Sequence, residues 1–427
     1  MTKFQIILTG IFGFFIVIGI IIFSAYRGSG EEAVNLTVWG TMSSQSFDTV
    51  IKSVGLHQNK QFNIKYVEKS EANFDTDFVE ALASGVGPDI VMLGNDRLLK
   101  HYNKIFPIPY SVFTERQFKD SFIEGSEIYM SPSGTLALPF SVDPLVMYWN
   151  RSIFRDVRIT EPPKYWDEFY SLATTISKKD GALNIQRSAV SFGEFSNIAN
   201  AKKIILNLAM QAGTPVTYWE GNSAQIAFSG SFNKPVPPAE AAVNFYTEFG
   251  NPAKASYSWN RSLPNSTNYF LGGDLAIYFG FASEARILQL KNPNLNFDVA
   301  LVPVSRESGE DISYADFNGF AITKASPNKN AAFALISIFT NKDTSKSFSE
   351  ALNLPSPRRD LLSVRASTAH GSIFNESVIR SKSWLDPDRE GSDAAFRTMV
   401  ESITSGRVRT TDAINRVQRE LMNILQK

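Results

Sequence analysis

Cysteine is absent from the 427-residue chain. That excludes disulfides, thiol nucleophiles and thiolate metal sites. Histidine is scarce: His57, His101 and His370 stand far apart, so zinc chemistry has no ligand set. Net charge is also missing, with 42 basic against 42 acidic residues. A nucleic-acid partner normally demands a basic face, so none is expected. There is no nucleophile elbow, Walker loop, dinucleotide fingerprint or zinc motif, and the chain is expected to hold no cofactor and no metal. No internal repeat or low-complexity tract appears.

What is abundant is apolar and aromatic. Hydrophobic residues make up 43% of the chain and phenylalanine alone supplies 33 residues, the composition of a folded body. From Phe4 to Phe23 the sequence FQIILTGIFGFFIVIGIIIF carries no charge. About 20 such residues span a bilayer as a helix. Lys3 on the N-terminal side favours an inside N-terminus, leaving the rest of the chain outside the cytoplasm. The expected form is an uncleaved single-pass anchor in the cell membrane, with residues 1–30 as anchor and linker. Gly28 and Gly30 leave cleavage after Gly30 as the alternative.

Beyond the linker, strand and helix patterns alternate. VNLTVW (34–39) and FNIKYVE (62–68) read as strands, and DTDFVEALASG (75–85) reads as a helix stopped by glycine. PDIVML (88–93) is a short, continuous apolar run, the mark of a buried parallel strand. TLALPF and LVMYW read as two further strands, and PPKYWDEFYSLATTIS (162–177) as a helix opened by proline. Helices follow at 201–211 and 238–249. DLAIYFG and FDVALVPV read as strands flanking a helix near 283–290, and NGFAIT as a strand before an apolar helix. The C-terminal segment from Thr411 has an amphipathic stripe of Ile414, Val417, Leu421 and Ile424. These units imply an α/β fold.

The residues that invite a functional reading sit at strand ends, where open α/β sheets bind ligands. Trp39 closes the first strand and is followed by GTMSS. Asn95, Asp96 and Arg97 close PDIVML. Asp143 stands between two apolar runs with no basic residue until Arg151, and Asn318 opens another strand. Carboxylates, asparagine and arginine hydrogen-bond hydroxyl groups, and aromatic rings cover apolar faces. Local pairing or core packing is the competing reading for each residue taken singly. The acidic loop DPDREGSD (386–393) lacks the ligand alternation of a calcium loop and reads as a solvated turn. No pair of carboxylates has the sequence mark of a glycosidase, although Asp143 with Asp96 would be the pair to test.

The ordered segments ALASGVGPDIVMLGNDRL, LALPFSVDPLVMYWNRSIF…PPKYWDEF, GGDLAIYFGF, NGFAITKASPNKNAAFALISIFTN, LPSPRRDLL and SGRVRTTDAINRVQREL resemble bacterial extracellular solute-binding proteins. The likeness is to the carbohydrate-binding family 1 that includes maltose-binding protein, and it runs over nearly all the chain after residue 34. It implies a periplasmic-binding-protein-like fold of two α/β lobes with a hinge. Lobe 1 is expected over 31–142 plus about 285–325, and lobe 2 over 143–284 plus about 326–427. The implied function is the extracytoplasmic substrate-binding component of an ABC importer. Such a component binds a sugar or oligosaccharide, hands it to the membrane permease and catalyses nothing. A membrane-anchored sensor, or binding of a polyol, glycerol phosphodiester or polyamine, are the alternatives. The resemblance puts Asp96 and Arg97 in the ligand cleft, with Asp143 on the hinge segment and Trp39, Thr41, Ser43 and Ser44 on the first-strand loop. Phe279 or Phe281 falls where the family stacks an aromatic ring; Trp259 is an alternative ring and Arg358 a further contact.

Overall fold

A computed structural model describes residues 33–306, 311–363 and 369–426. The expected anchor at Phe4–Phe23 lies outside the described residues. Among those described, no helix is long and apolar enough to cross a membrane.

Strands β1 (Val34–Gly40), β2 (Phe62–Glu68) and β3 (Ile90–Gly94) are parallel neighbours, joined through helices α1 (Ser44–Ser53) and α2 (Phe74–Ala83). All five residues of β3 are buried, as its unbroken apolar run requires. Next come β4 (Leu138–Asn150), β5 (Ile185–Val190), β6 (Leu275–Phe281), β7 (Phe297–Ala300) and β8 (Ser313–Thr323). The hydrogen-bonded path runs β2-β1-β3-β8-β4-β6-β5, with β7 paired to the far half of β4.

β4 and β8 carry the chain between two bodies. Leu138–Pro144 pairs with β8, whereas Leu145–Asn150 pairs with β6 and β7. The sequence reads β4 as two strands because Asp143-Pro144 looks like a turn. In the fold Pro144 stays extended, opposite Ala315, and its carbonyl accepts the Ala282 N–H at 3.0 Å. The register slips between Asn318 and Gly319, opposite Ser141 and Pro139. A bulge suits a proline that has no N–H to donate. Gly319 is required there: a Cβ would lie 2.9 Å from Ala137 Cβ and 3.2 Å from the Leu138 carbonyl.

Two hydrophobic cores divide at these crossings. The first holds Leu36, Val38, Phe47, the β3 residues and Val142; the second begins at Leu145 and takes in β5, β6 and the C-terminal helices. The division differs from the expected lobe boundaries. Leu288, Leu295, Val299 and Val302 pack in the second core, not the first. Ala332, Leu335, Ile336, Phe339 and Phe348 pack in the first, not the second. The cause is β8, which returns the chain to the first lobe, so that the apolar helix Lys329–Phe339 covers that lobe's sheet. A further crossing joins Trp384 of the second core to Leu385 of the first.

The helix expected from Pro162 starts at Glu168. The Glu168 carboxylate turns back to accept the Lys164 and Tyr165 N–H groups, so the prolines precede the helix.

Candidate functional site between the lobes

Alternation along β8 puts Tyr314, Asp316 and Asn318 on one face of the sheet. Asp316 is directly opposite Asp143 on β4, and Asn318 is opposite Ser141. Asn318 is exposed, with its amide 3.4 Å from the Ser141 hydroxyl. Asp96 follows β3 beside them; a Cβ on Gly94 would meet Asp96 Oδ1 at 2.4 Å and Asn318 Oδ1 at 3.3 Å. From the second lobe, helix α3 (Ala201–Gln211) brings Lys203 to Asp316 Oδ1 at 2.7 Å and to the Tyr314 hydroxyl at 2.9 Å. The floor between the lobes is therefore polar.

Its electrostatics are unbalanced. Asp143 accepts the Ser283 N–H at 3.1 Å and is in no ion pair among the described residues. Burial first, then the neighbouring Asp316 and Glu284 carboxylates, push its pKa up to about 7 despite Ser283. Burial likewise raises Asp96, against the pull of Lys203. Asp96 makes one long ion pair, 3.7 Å to Arg389. Burial alone would lower Lys203, but Asp316, Tyr314 and Asp96 hold it well above the ordinary lysine value. Glu284, which opens helix α4 (Glu284–Lys291), spends its acceptors on neutral donors: Tyr278, Asn200 and the Phe281 N–H.

Several expected site residues are structural instead. Trp39 is 8% exposed in the first core, with the Lys69 ammonium 3.9 Å from its ring centre. Trp259 is fully buried and donates to Asn197, and Phe279 packs among Trp166, Phe169 and Phe192. Phe281 is 8% exposed, edge-on to Tyr314. None of these rings offers an open stacking face. Asn95 is buried and ties the lobes together, bonding Tyr314, the Trp384 carbonyl and the Phe317 N–H. Arg97 turns to Glu71 at 2.7 Å and Asp75 at 3.5 Å. Arg358 pairs with Asp360 and the Thr340 carbonyl, inside the first lobe. Ser43 caps α1 through the Ser46 N–H, and the Ser44 N–H bonds Glu68. Thr41 bonds Glu71, whose pKa falls because Thr41 and Arg97 outweigh burial.

The sequence reading missed Asp316, Lys203, Glu284 and Arg389. A polar Tyr314-Asp316-Asn318 alternation before NGFAIT was the available signal for the first. Two adjacent lysines opening an apolar helix signalled the second. The acidic loop is not a solvated turn either. Asp386 is fully buried on Lys202 at 2.9 Å, Asp388 caps helix α5 (Arg389–Thr404), and Lys100 reaches Asp388 across the lobes at 2.5 Å. Arg389 also reaches Glu71 at 3.6 Å. Among the described residues no histidine or carboxylate group has the arrangement to hold a metal ion.

A separate cavity of about 1200 Å³ is walled by both lobes through Lys100, Tyr102, Trp219, Asp388 and Ile424. None of the residues expected to bind ligand lines it.

The family model for bacterial extracellular solute-binding proteins matches residues 49–346. A Brucella abortus (strain 2308) binding protein is 22% identical over 282 residues, covering 63% of this chain and 62% of that relative. The match thus spans less than two thirds of the curated relative. The fold of a cyclo/maltodextrin-binding protein complexed with maltotetraose superposes with a TM-score of 0.74 at 15% identity, covering 93% of this chain and 99% of that one. For the cyclic alpha-maltosyl-1,6-maltose binding protein of Arthrobacter globiformis the TM-score is 0.75 at 15% identity, covering 92% and 99%. The sugar-binding protein MalE of Xanthomonas citri gives 0.73 at 18% identity, covering 92% and 98%. At these identities the likeness establishes the two-lobe fold.

Proposed function

The chain belongs to the bacterial extracellular solute-binding proteins, and from that premise we propose that it binds a sugar or oligosaccharide between its lobes for an ABC importer. The observation that carries the reading is Asp143: a carboxylate on a strand joining two cores, with no cation paired to it among the described residues. A desolvated carboxylate needs a partner, and ligand hydroxyls supply donors without distorting the fold. Asp96, Asn318 and Ser141 add acceptors and donors on the same floor. Solved relatives with this fold are complexed with maltotetraose or named for binding cyclic maltosyl-maltose, which supports a saccharide here.

Two connecting strands with separate cores fit hinge closure around the ligand. The permease would then read the closed form. The Phe4–Phe23 segment would tether the protein to the outer face of the cytoplasmic membrane, keeping the cleft within reach of that permease. No bond is made or broken in this role.

Titration calorimetry of the purified protein against mono- and oligosaccharides tests the proposal. Saturable binding of at least one saccharide, without product formation, is expected. Heat with only inorganic phosphate or phosphodiesters, and none with saccharides, would overturn it.

A further inference from the structure

The floor between the lobes carries more negative charge than its own cations neutralise. Asp143 faces Asp316 across the strand pair, and Glu284 adjoins it from α4. Like charges directly opposite on a sheet repel. Among the described residues the ammonium within reach is Lys203, and it is committed to Asp316 and the Tyr314 hydroxyl, with Tyr314's ring 4.9 Å from it. The remaining titratable neighbour, Tyr148, is a buried phenol bonded to the Phe281 carbonyl. Asp96 draws on Lys203 and Arg97 and on Arg389, which lies 3.7 Å from it and 3.6 Å from Glu71. Asp143, Asp316 and Glu284 thus have one ammonium close by, which Asp96 also draws on, and the excess falls on Asp143 and Glu284. Both keep some accessible surface, but Glu284 accepts from Tyr278, Asn200 and the Phe281 N–H, whereas Asp143 accepts from Ser283 alone.

A second observation bears on the mode of recognition. The rings that would have stacked on a neutral sugar, Trp39, Trp259, Phe279 and Phe281, are each 8% exposed or less. Recognition at this floor therefore rests on charge and hydrogen bonding rather than on apolar sugar faces. We propose that the ligand is a saccharide bearing a protonated primary amine, and that Asp143 is the residue that selects the amine over a hydroxyl. The inference rests on the saccharide reading of the same site.

The floor relieves its charge excess by holding a proton on Asp143, in keeping with the direction of its pKa. A seated ammonium replaces that proton and donates to the carboxylate, the stronger class of hydrogen bond. A hydroxyl in the same place leaves the excess charge in being.

Matched pairs that differ only in this group provide the test: glucosamine with glucose, galactosamine with galactose, and the β-1,4 glucosamine tetramer with cellotetraose. Affinities are read by calorimetry on the whole protein. In every pair that binds, the amine should be tighter by about tenfold or more, and Asp143→Asn should remove the difference. A pH series on the unmodified protein covers the case in which that variant fails to fold. Amine affinity should rise between pH 5 and 6.5, as Asp143 becomes easier to ionise, while the neutral twin stays flat. Equal or tighter binding of the neutral twins, or an amine preference that survives in folded Asp143→Asn, overturns this inference and leaves the saccharide reading standing. Binding of none of these pairs, with saturable binding of another neutral saccharide, overturns this inference alone; silence across the whole saccharide panel overturns both.

Discussion

Replacing Asp143 with asparagine removes a charge that the folded protein holds at a cost, and the cost has a defined pH window. The folded group titrates near 7 against an ordinary value of 3.8, raised by burial and then by Asp316 and Glu284. Between those values the folded state keeps the proton and the unfolded chain loses it. Stability therefore falls as pH rises from about 4 to about 7, and levels off above that. That difference corresponds to roughly 4 kcal/mol at most. Asp143 retains accessible surface, and screening by solvent reduces this to about 2 kcal/mol. Asparagine can still accept the Ser283 N–H through its side-chain oxygen, so the local bond survives. Urea unfolding of both proteins from pH 4 to 8.5 should show Asp143→Asn stabilised by about 2 kcal/mol above pH 7. The gap should close towards pH 4. A gap that does not change with pH, or a variant less stable at pH 8, refutes the electrostatic account of Asp143.

Trp259 is packed in the second core and is not part of the ligand floor. Trp259→Ala should cost about 3–5 kcal/mol of unfolding free energy, with saccharide affinity per folded molecule unchanged in calorimetry. Lys202 holds the fully buried Asp386 together with the Ser392 hydroxyl at 2.8 Å. Lys202→Met should destabilise by about 3–5 kcal/mol, because it leaves a carboxylate buried without its cation; adding Asp386→Asn should recover much of the loss in urea unfolding. Double replacement restoring nothing would mean that Asp386 does not depend on that lysine.

Much of the fold was legible because periodicity and turn residues are local signals. The helix expected at 201–211 and the strands at 62–68 and near 88–93 lie where the spacing put them. The lobe boundaries were not legible, since they depend on which core each apolar segment joins after β8 crosses back. The site was read in part. Asp143 was visible as an unpaired charge between apolar runs. Trp39 at its strand end gave no sign that its ring turns inward beneath Lys69. Asp316 and Lys203 meet from residues 113 positions apart, a distance that no local pattern spans.

The most direct measurement of the central claim is a crystal structure of the protein soaked with the saccharide that calorimetry selects. The sugar should lie between the lobes, within hydrogen-bonding distance of Asp143 and of Asp96 or Asn318. A saccharide seated only in the cavity at Trp219 and Tyr102, with Asp143 untouched, would contradict the assignment.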